Sequence, residues 1–362
     1  MPEDVLFASA YVPKIDAQSS LPAKFGRMLE RLPLSEIVKD KSVALKMHLG
    51  GNLGYTTIHP LFTRILVQAL KDAGGKVFVT DSAWAVQTAK ARGYTEEVLG
   101  APLVATSGLF DKYYYSKPVD FETLKEIQVA GHIHDADVLI DFSHVKGHGA
   151  CGYGGACKNI AMGCVTAATR AQIHSLEGGL TWNPDKCVHC EICIKSCRYG
   201  ANTFNEKGEY KIFFHNCTYC QHCANACPEG AITINRSKFK DFQEGMAICT
   251  DVVLNTFDRE RLLFINVLTN ITLLCDCWGF SMRPLVPDIG ILASRDIVAI
   301  EQASLDLIKS EDFLPGSLPE GRSLGEGKHL FEKIHGKDPF VQVAALEAKG
   351  LGSRDYKLVE VD

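Results

Sequence analysis

Apolar residues follow two alternating rhythms along the first part of the chain. "SVALKMHL" (42–49) and "KVFVTD" (76–81) are unbroken aliphatic and β-branched runs, whereas "HPLFTRILVQALKDAGG" (59–75) between them repeats every three to four positions and stops at Gly74-Gly75. The first rhythm predicts buried strands and the second an amphipathic helix with a glycine stop. "MPEDVLFASAYVPKID" reads as an opening strand, and "ADVLIDFSHV" (136–145), after a further helical stretch, as another buried strand. Later the same alternation returns. "FKDFQEGMAICTDVVLNTF" (239–257) is helical, "RLLFINVLTNI" (261–271) a strand, and "DIGILASRDIVAIEQASLDLIKS" (288–310) a strand followed by a helix. "EDFLPGSLPEGRSLGEG" is loop-like and precedes short helical pieces. Strand–helix–strand units of this kind predict an α/β fold: a mostly parallel sheet with helices on both faces.

Residues from about 182 to 235 break the pattern, being rich in Cys and short of long apolar runs. The expected organisation is therefore an α/β domain in two parts, 1–180 and 238–362, interrupted by a small ferredoxin-like α+β insertion at 181–237. Cys187, Cys190, Cys193 and Cys197 follow C-x₂-C-x₂-C-x₃-C, and Cys217, Cys220, Cys223 and Cys227 repeat it. In two-cluster ferredoxins the first three cysteines of a run hold one 4Fe–4S cluster and the fourth crosses to the other. That predicts Cys187, Cys190, Cys193 and Cys227 on one cluster, and Cys217, Cys220, Cys223 and Cys197 on the second. Pro228 follows the second run as the pattern expects, while Arg198 takes the equivalent place in the first. Zinc knuckles share C-x₂-C but not the third and fourth spacings.

Composition narrows the setting. Of 362 residues, 46% are hydrophobic and 22% charged, the balance of a globular protein with a sizeable core. A net charge of −5 without a basic run points neither to nucleic acid nor to an anionic membrane. No apolar stretch has the length of a membrane span, and the opening residues lack the charged and apolar regions of a signal peptide. Fourteen cysteines in a chain expected to stay in a reducing cytoplasm indicate metal or redox chemistry rather than disulfides. Low-potential clusters also suggest an anaerobic setting.

A second candidate site is "DFSHVKGHGACGYGGACKNIAMGC" (141–164), at the carboxyl end of a predicted strand, where open α/β folds place ligands. Gly147, Gly149, Gly152, Gly154 and Gly155 permit close backbone approach, and the helix expected to follow attracts anions at its N-terminus. His144, Lys146, His148, Cys151, Cys157 and Lys158 all fall in this stretch. The expectation is an anion or cofactor held by Lys146, Lys158 and the amides around Gly152, Gly154 and Gly155, with His148 moving a proton near its operating pH.

"KMHLGGN", "KVFVTDSAW", "VKGHGACGYGGACKNIAMGC" and "DIGILASRDIVAIEQASLDL" together resemble the family catalogued as domain of unknown function 362, over nearly the whole chain. The cysteine module resembles bacterial ferredoxins. More distantly, "HGACGYGGACK" is similar to the loop of the nickel-pincer lactate racemases, and His148, Lys158 and His174 keep that family's intervals. This resemblance implies proton transfer by His148, cofactor holding by Lys158 and metal ligation by His174. Two departures stand against it. Two residues rather than one separate Gly155 from Lys158, and "TDSAWAV" offers Asp81, Ser82 and Trp84 where the racemases have a second histidine.

Six cysteines remain. In "LLCDCWG", Cys275 and Cys277 share a face of an extended segment and, with Cys151 and Cys157, could form a third metal site; Cys249, alone in a helical run, reads as core. The leading expectation is an iron–sulfur oxidoreductase relaying electrons between a soluble donor or acceptor protein and a pocket at the glycine-rich loop 146–158, where an anionic small molecule reacts. An electron-transfer subunit docking a partner enzyme, and a nickel-pincer racemase- or isomerase-like enzyme, are the alternatives. No Rossmann fingerprint supports a nicotinamide nucleotide; a flavin or other organic cofactor and a homo-oligomer stay open.

Overall fold

Strand Val138–His144 shows how the sequence builds the fold: all seven of its residues are buried, and they divide between two cores. Val138, Ile140 and Phe142 enter one apolar cluster and Leu139 the other, because successive side chains leave opposite faces of a strand. A computed structural model describes residues 3–361. It contains β1 (Glu3–Ser9), β2 (Ser42–Met47), β3 (Lys76–Asp81), β4 (Leu103–Ala105), β5 (Val138–His144), β6 (Leu262–Leu268), β7 (Gly290–Ser294) and β8 (Tyr356–Glu360). These make one eight-stranded sheet in the order β8-β1-β7-β6-β5-β2-β3-β4. The opening strand falls where expected, although Met1 and Pro2 lie outside the described residues.

Most neighbours are parallel, as expected for an α/β fold: β2 with β3 and β5, β3 with β4, β5 with β6, and β1 with β8. β7 differs, running antiparallel to both β1 and β6. The chain between β6 and β7 contains no α-helix, so β7 returns beside β6 without the helical crossover that a parallel pair requires.

Helices cover both faces. On one side α1 (Leu21–Glu30) and α2 (Pro60–Asp72) pack Phe25, Met28, Leu66, Val67 and Leu70 against the sheet. α2 begins at a proline, compatible with a first turn that lacks amide partners, and His59 accepts from the Leu61 N–H at 3.2 Å. On the other side lie α3 (Ala156–Gly163), α4 (Phe239–Leu254) and α5 (Ile297–Leu307), contributing Ile160, Phe242, Met246, Val253 and Ile300. Each such buried aliphatic or aromatic side chain contributes roughly 1.5–3 kcal/mol. Among the described residues, no helix is long and apolar enough to cross a membrane.

A hairpin of Tyr114–Phe121 with Leu124–Ala130 and the edge strand β8 were not anticipated from the sequence. The first hairpin strand and β8 carry exposed positions along much of their length, which weakens the apolar signal.

Candidate functional site

The cysteine-rich segment is a structural as well as a sequence repeat. Strand Leu180–Trp182, helix Ile192–Lys195 and strand Asn202–Phe204 recur thirty residues later as Tyr210–Ile212, His222–Asn225 and Ile232–Ile234. The halves interlock, since the first strand pairs with the last and the two inner strands pair with each other. Within each cysteine loop the same two positions are left-handed without being glycine: His189 and Glu191 (φ 51° and 59°), then Tyr219 and Gln221 (55° and 63°). Alternation of this sort turns successive backbone N–H groups toward one side, making a concavity suited to anionic sulfur. The amides of Ala201 and Ala231 donate to Cys197 and Cys227 Sγ, each at 3.3 Å. Cys187, Cys190, Cys193 and Cys227 line one small cavity. Cys193, Cys217 and Cys223 are buried in a local apolar cluster with Tyr210, Tyr219, Ile232 and Ile234, whereas Cys190 and Cys220 are exposed.

A separate cavity of about 490 Å³ opens at the carboxyl ends of β2, β3 and β5 and at the start of α3. Segments far apart in the chain supply its chemistry. Lys46 and His48 come from the end of β2. Asp81, the last residue of β3, accepts the N–H groups of Leu49 and Ser82, each at 2.8 Å. The glycine-rich stretch is not an open loop but a tight hairpin, Lys146–His148 against Gly152–Gly154, leading into α3. Gly154 matters here, because a Cβ on it would lie 2.8 Å from Lys158 Cδ, so its absence lets the Lys158 chain pass.

Lys46 Nζ lies 3.2 Å from Asp81 Oδ1 and donates to Asn159 Oδ1 at 2.6 Å. His48 Nδ1 stands 3.5 Å from Asp81 Oδ2. Burial opposes protonation of His48, but Asp81 and the Cys275 sulfur hold its pKa up at about 9. Lys158 Nζ reaches Cys275 Sγ at 3.5 Å, and the Cys275 and Cys277 sulfurs are 2.7 Å apart. Burial disfavours a Cys275 thiolate, yet contact with Cys277, Lys158 and His48 brings the thiol well below its ordinary value; contact with Cys275 pushes Cys277 the other way. Burial works against the Lys158 charge too, and is outweighed by the neighbouring sulfurs, which keep its pKa raised. Burial and Lys158 together push His148 well below the usual histidine range, so it is neutral. The Ala150 N–H donates to His148 Nδ1 at 3.2 Å, which leaves the ring proton on Nε2.

Among the described residues, two sets have donor atoms close enough for a single ion: His148 with Cys275 and Cys277, and His174 with Glu177 and His215. His174 Nδ1 and His215 Nδ1 approach the Glu177 oxygens at 2.5 and 3.5 Å. Burial raises the Glu177 pKa, but the two histidines bring it down to about 2. His215, from the cysteine-rich segment, also meets His148 and Trp278 with ring centroids at 5.0 and 5.9 Å. The segment and the pocket therefore share a wall. Gly149 sits at the seam, where a methyl group would overlap the His215 carbonyl.

The structure thus brings His148, Lys158, His174, Gly154, Gly155, Cys275 and Cys277 to one cavity. Others of the expected residues are elsewhere. Lys146 is buried behind the wall, where it donates to Asp276 Oδ1 at 2.7 Å and Thr56 Oγ1 at 3.0 Å; its charge is neutralised there, so it is not an anion-holding group of the cavity. Gly152 (φ 82°) serves the hairpin turn and faces the Lys337 carbonyl rather than the cavity. Cys151 Sγ lies 3.2 Å from His148 Nδ1, behind the ring, and donates to the Tyr153 carbonyl at 3.0 Å, while Cys157 lies beside Thr250 Oγ1 at 3.6 Å under α4; neither reaches the cavity wall, where His148 stands with Cys275 and Cys277. Cys249 is buried, donating to the Ala161 carbonyl at 3.2 Å. Lys46, His48, Glu177 and His215 were not identified from sequence. A lysine and a histidine at the end of the apolar run "SVALKMHL" were a readable signal; Glu177 and His215 were not, since only folding pairs them.

The chain belongs to the family described as Domain of unknown function (DUF362), whose profile matches residues 43–306. No curated protein matches it. Among solved structures, the lactate racemase apoprotein from Thermoanaerobacterium thermosaccharolyticum is similar at 14% identity and a TM-score of 0.35, over 69% of this chain and 49% of that one. The chain thus spans about half the length of that protein.

Proposed function

We propose that the protein is an iron–sulfur oxidoreductase whose cysteine-rich segment, 181–237, is a ferredoxin-like insertion serving the pocket at the glycine-rich hairpin. One observation carries this reading: Cys187, Cys190 and Cys193 of the first run share a cavity with Cys227, the last cysteine of the second, as crossed ligation of two 4Fe–4S clusters requires. The donor chemistry fits. Four thiolates per site, left-handed loop positions and N–H donors to Cys197 and Cys227 suit an anionic cluster. Neither of the sets tight enough for one ion among the described residues comes from these runs, which disfavours zinc. Bound there, the clusters supply single electrons.

The chain's own residues make the pocket a site for an anionic organic molecule. Lys158 and Arg170 present positive charge, while Trp84, Phe213 and Trp278 give aromatic walls suited to a planar group such as a flavin. Neutral His148 holds a proton on Nε2 for transfer, and His48, charged beside Asp81, can give one up. His215, two residues before Cys217, links the second cysteine run to this chemistry. Exposed Cys190, with exposed Val188 and Ile192 beside it, offers a soluble electron-carrying partner a contact. Anaerobic purification with iron and sulfide analysis tests the reading. About eight irons per chain are expected, and fewer than about four would sink it.

A nickel-pincer racemase-like reading is favoured by one observation, that His148, Lys158 and His174 line the same cavity. Stoichiometric nickel, lost in Lys158→Ala, would replace the first reading with this one.

A further inference from the structure

Among the described residues, Cys275 and Cys277 are the only thiols on the pocket wall, and their surroundings are unusually specific. Between them, Asp276 is clamped by Lys146 through Oδ1 (2.7 Å) and by His144 through Oδ2 (2.8 Å), which fixes the backbone and holds the two sulfurs together. Lys158 Nζ at 3.5 Å and the Cys277 N–H at 3.3 Å both donate to Cys275 Sγ. The sulfurs are 2.7 Å apart. Two sulfurs on one tetrahedral ion, each about 2.3 Å from the metal, would sit roughly 3.8 Å apart. His148, with its Nδ1 occupied by the Ala150 N–H, presents a protonated nitrogen rather than a lone pair on its other side. Three donors therefore meet without the geometry of a metal chelate, and with that of a pair poised to bond.

We propose that Cys275 and Cys277 form a reversible disulfide, a two-electron centre on the pocket wall; the assignment of iron–sulfur clusters as its electron source rests on the function proposed above. Reduction breaks the S–S bond with two electrons, delivered singly, and one proton from pocket solvent. The products are a Cys275 thiolate held by Lys158 and a Cys277 thiol hydrogen-bonded to it. Oxidation by a bound two-electron acceptor reverses each change. Such a couple lets one-electron carriers serve two-electron chemistry. With a single residue between the cysteines, the closed ring is tight, which favours an easily reduced disulfide over a structural one.

The test uses the whole protein. Purified anaerobically, it is equilibrated in dithiothreitol buffers of graded potential, quenched with iodoacetamide and digested with trypsin. The fragment Leu262–Arg295 contains Cys275 and Cys277 and no other cysteine. Its doubly alkylated and disulfide forms should interconvert reversibly, their ratio changing tenfold per about 30 mV, as two electrons require. In Cys277→Ser the fragment should be singly alkylated at every potential. Two free thiols throughout, or alkylation blocked until a chelator removes a metal, would overturn the proposal. Iron measured on the same sample separates the two readings. A reversible pair without iron upholds the disulfide and rejects the clusters; about eight irons with permanently free thiols does the reverse.

Discussion

The cysteine-rich segment and the pocket beside it are built by opposite means. All eight thiols of the segment come from residues 187–227, on two loops that repeat each other down to the sign of φ at matching positions. The pocket gathers Lys46, Asp81, His148, Lys158, His215 and Cys275 from segments scattered over more than half of the chain. In the segment, local spacing places the donors, and the apolar cluster behind them is small. In the pocket, the sheet places the donors, and each charged group survives burial only because another element brings its partner. The first arrangement tolerates change outside its loops; the second is exposed to change anywhere in the sheet.

That contrast can be broken most severely at the thiols themselves. On the proposed cluster assignment, Cys223→Ser should remove about half of the iron measured in wild type, because cluster ligands act as a set, while near-ultraviolet spectra of the sheet domain stay native. Loss of all iron and of the fold together would mean that the segment is not locally encoded. The converse substitution is Lys46→Met, which takes from buried Asp81 its closer cation and leaves only His48 beside it. It should cost about 3–5 kcal/mol in urea unfolding without lowering iron content.

The seam gives finer tests. Glu177 joins His174 of one region to His215 of the other, and its pKa is depressed from 4.5 to about 2. A depressed carboxylate stabilises the fold above its unfolded pKa and loses that contribution as pH falls. Wild type should therefore exceed Glu177→Gln by about 3 kcal/mol near neutrality, the gap closing between pH 4.5 and 2. A gap unchanged across that window would remove Glu177 as the link. Gly149→Ala, which pushes a methyl group into the His215 carbonyl, should cost about 1–3 kcal/mol, seen as a lower melting temperature. An unchanged melting temperature would mean that the two regions do not press on each other there.

Much of this was legible in the chain. The strands ending near His48, Asp81 and His144 were readable because both their faces are buried, so apolar runs mark them without ambiguity. The cysteine runs were readable because ligand spacing is itself local. Lys146 was misread for an equally physical reason: a lysine in a glycine-rich stretch looks available for an anion, and only Asp276, far along the chain, shows that its charge is already matched. Cys151 and Cys157 were misassigned in the same way. Their place in the glycine-rich stretch suggested a site shared with Cys275 and Cys277, but the Cys151 sulfur sits behind His148, 3.2 Å from its Nδ1, and the Cys157 sulfur faces Thr250.

By itself, then, the sequence determined the alternating elements, the α/β class and the repeated thiol loops, since each rests on periodicity or spacing within a few tens of residues. Tertiary structure alone decided the reversed direction of β7, the pairing of Lys46 with Asp81, the meeting of His148 and Lys158 with Cys275 and Cys277, and the entry of His215 into the pocket. The physical reason is that a buried charge or thiol takes its chemistry from whichever partner the fold sets within a few ångströms. Nothing in the local sequence of either partner specifies that distance.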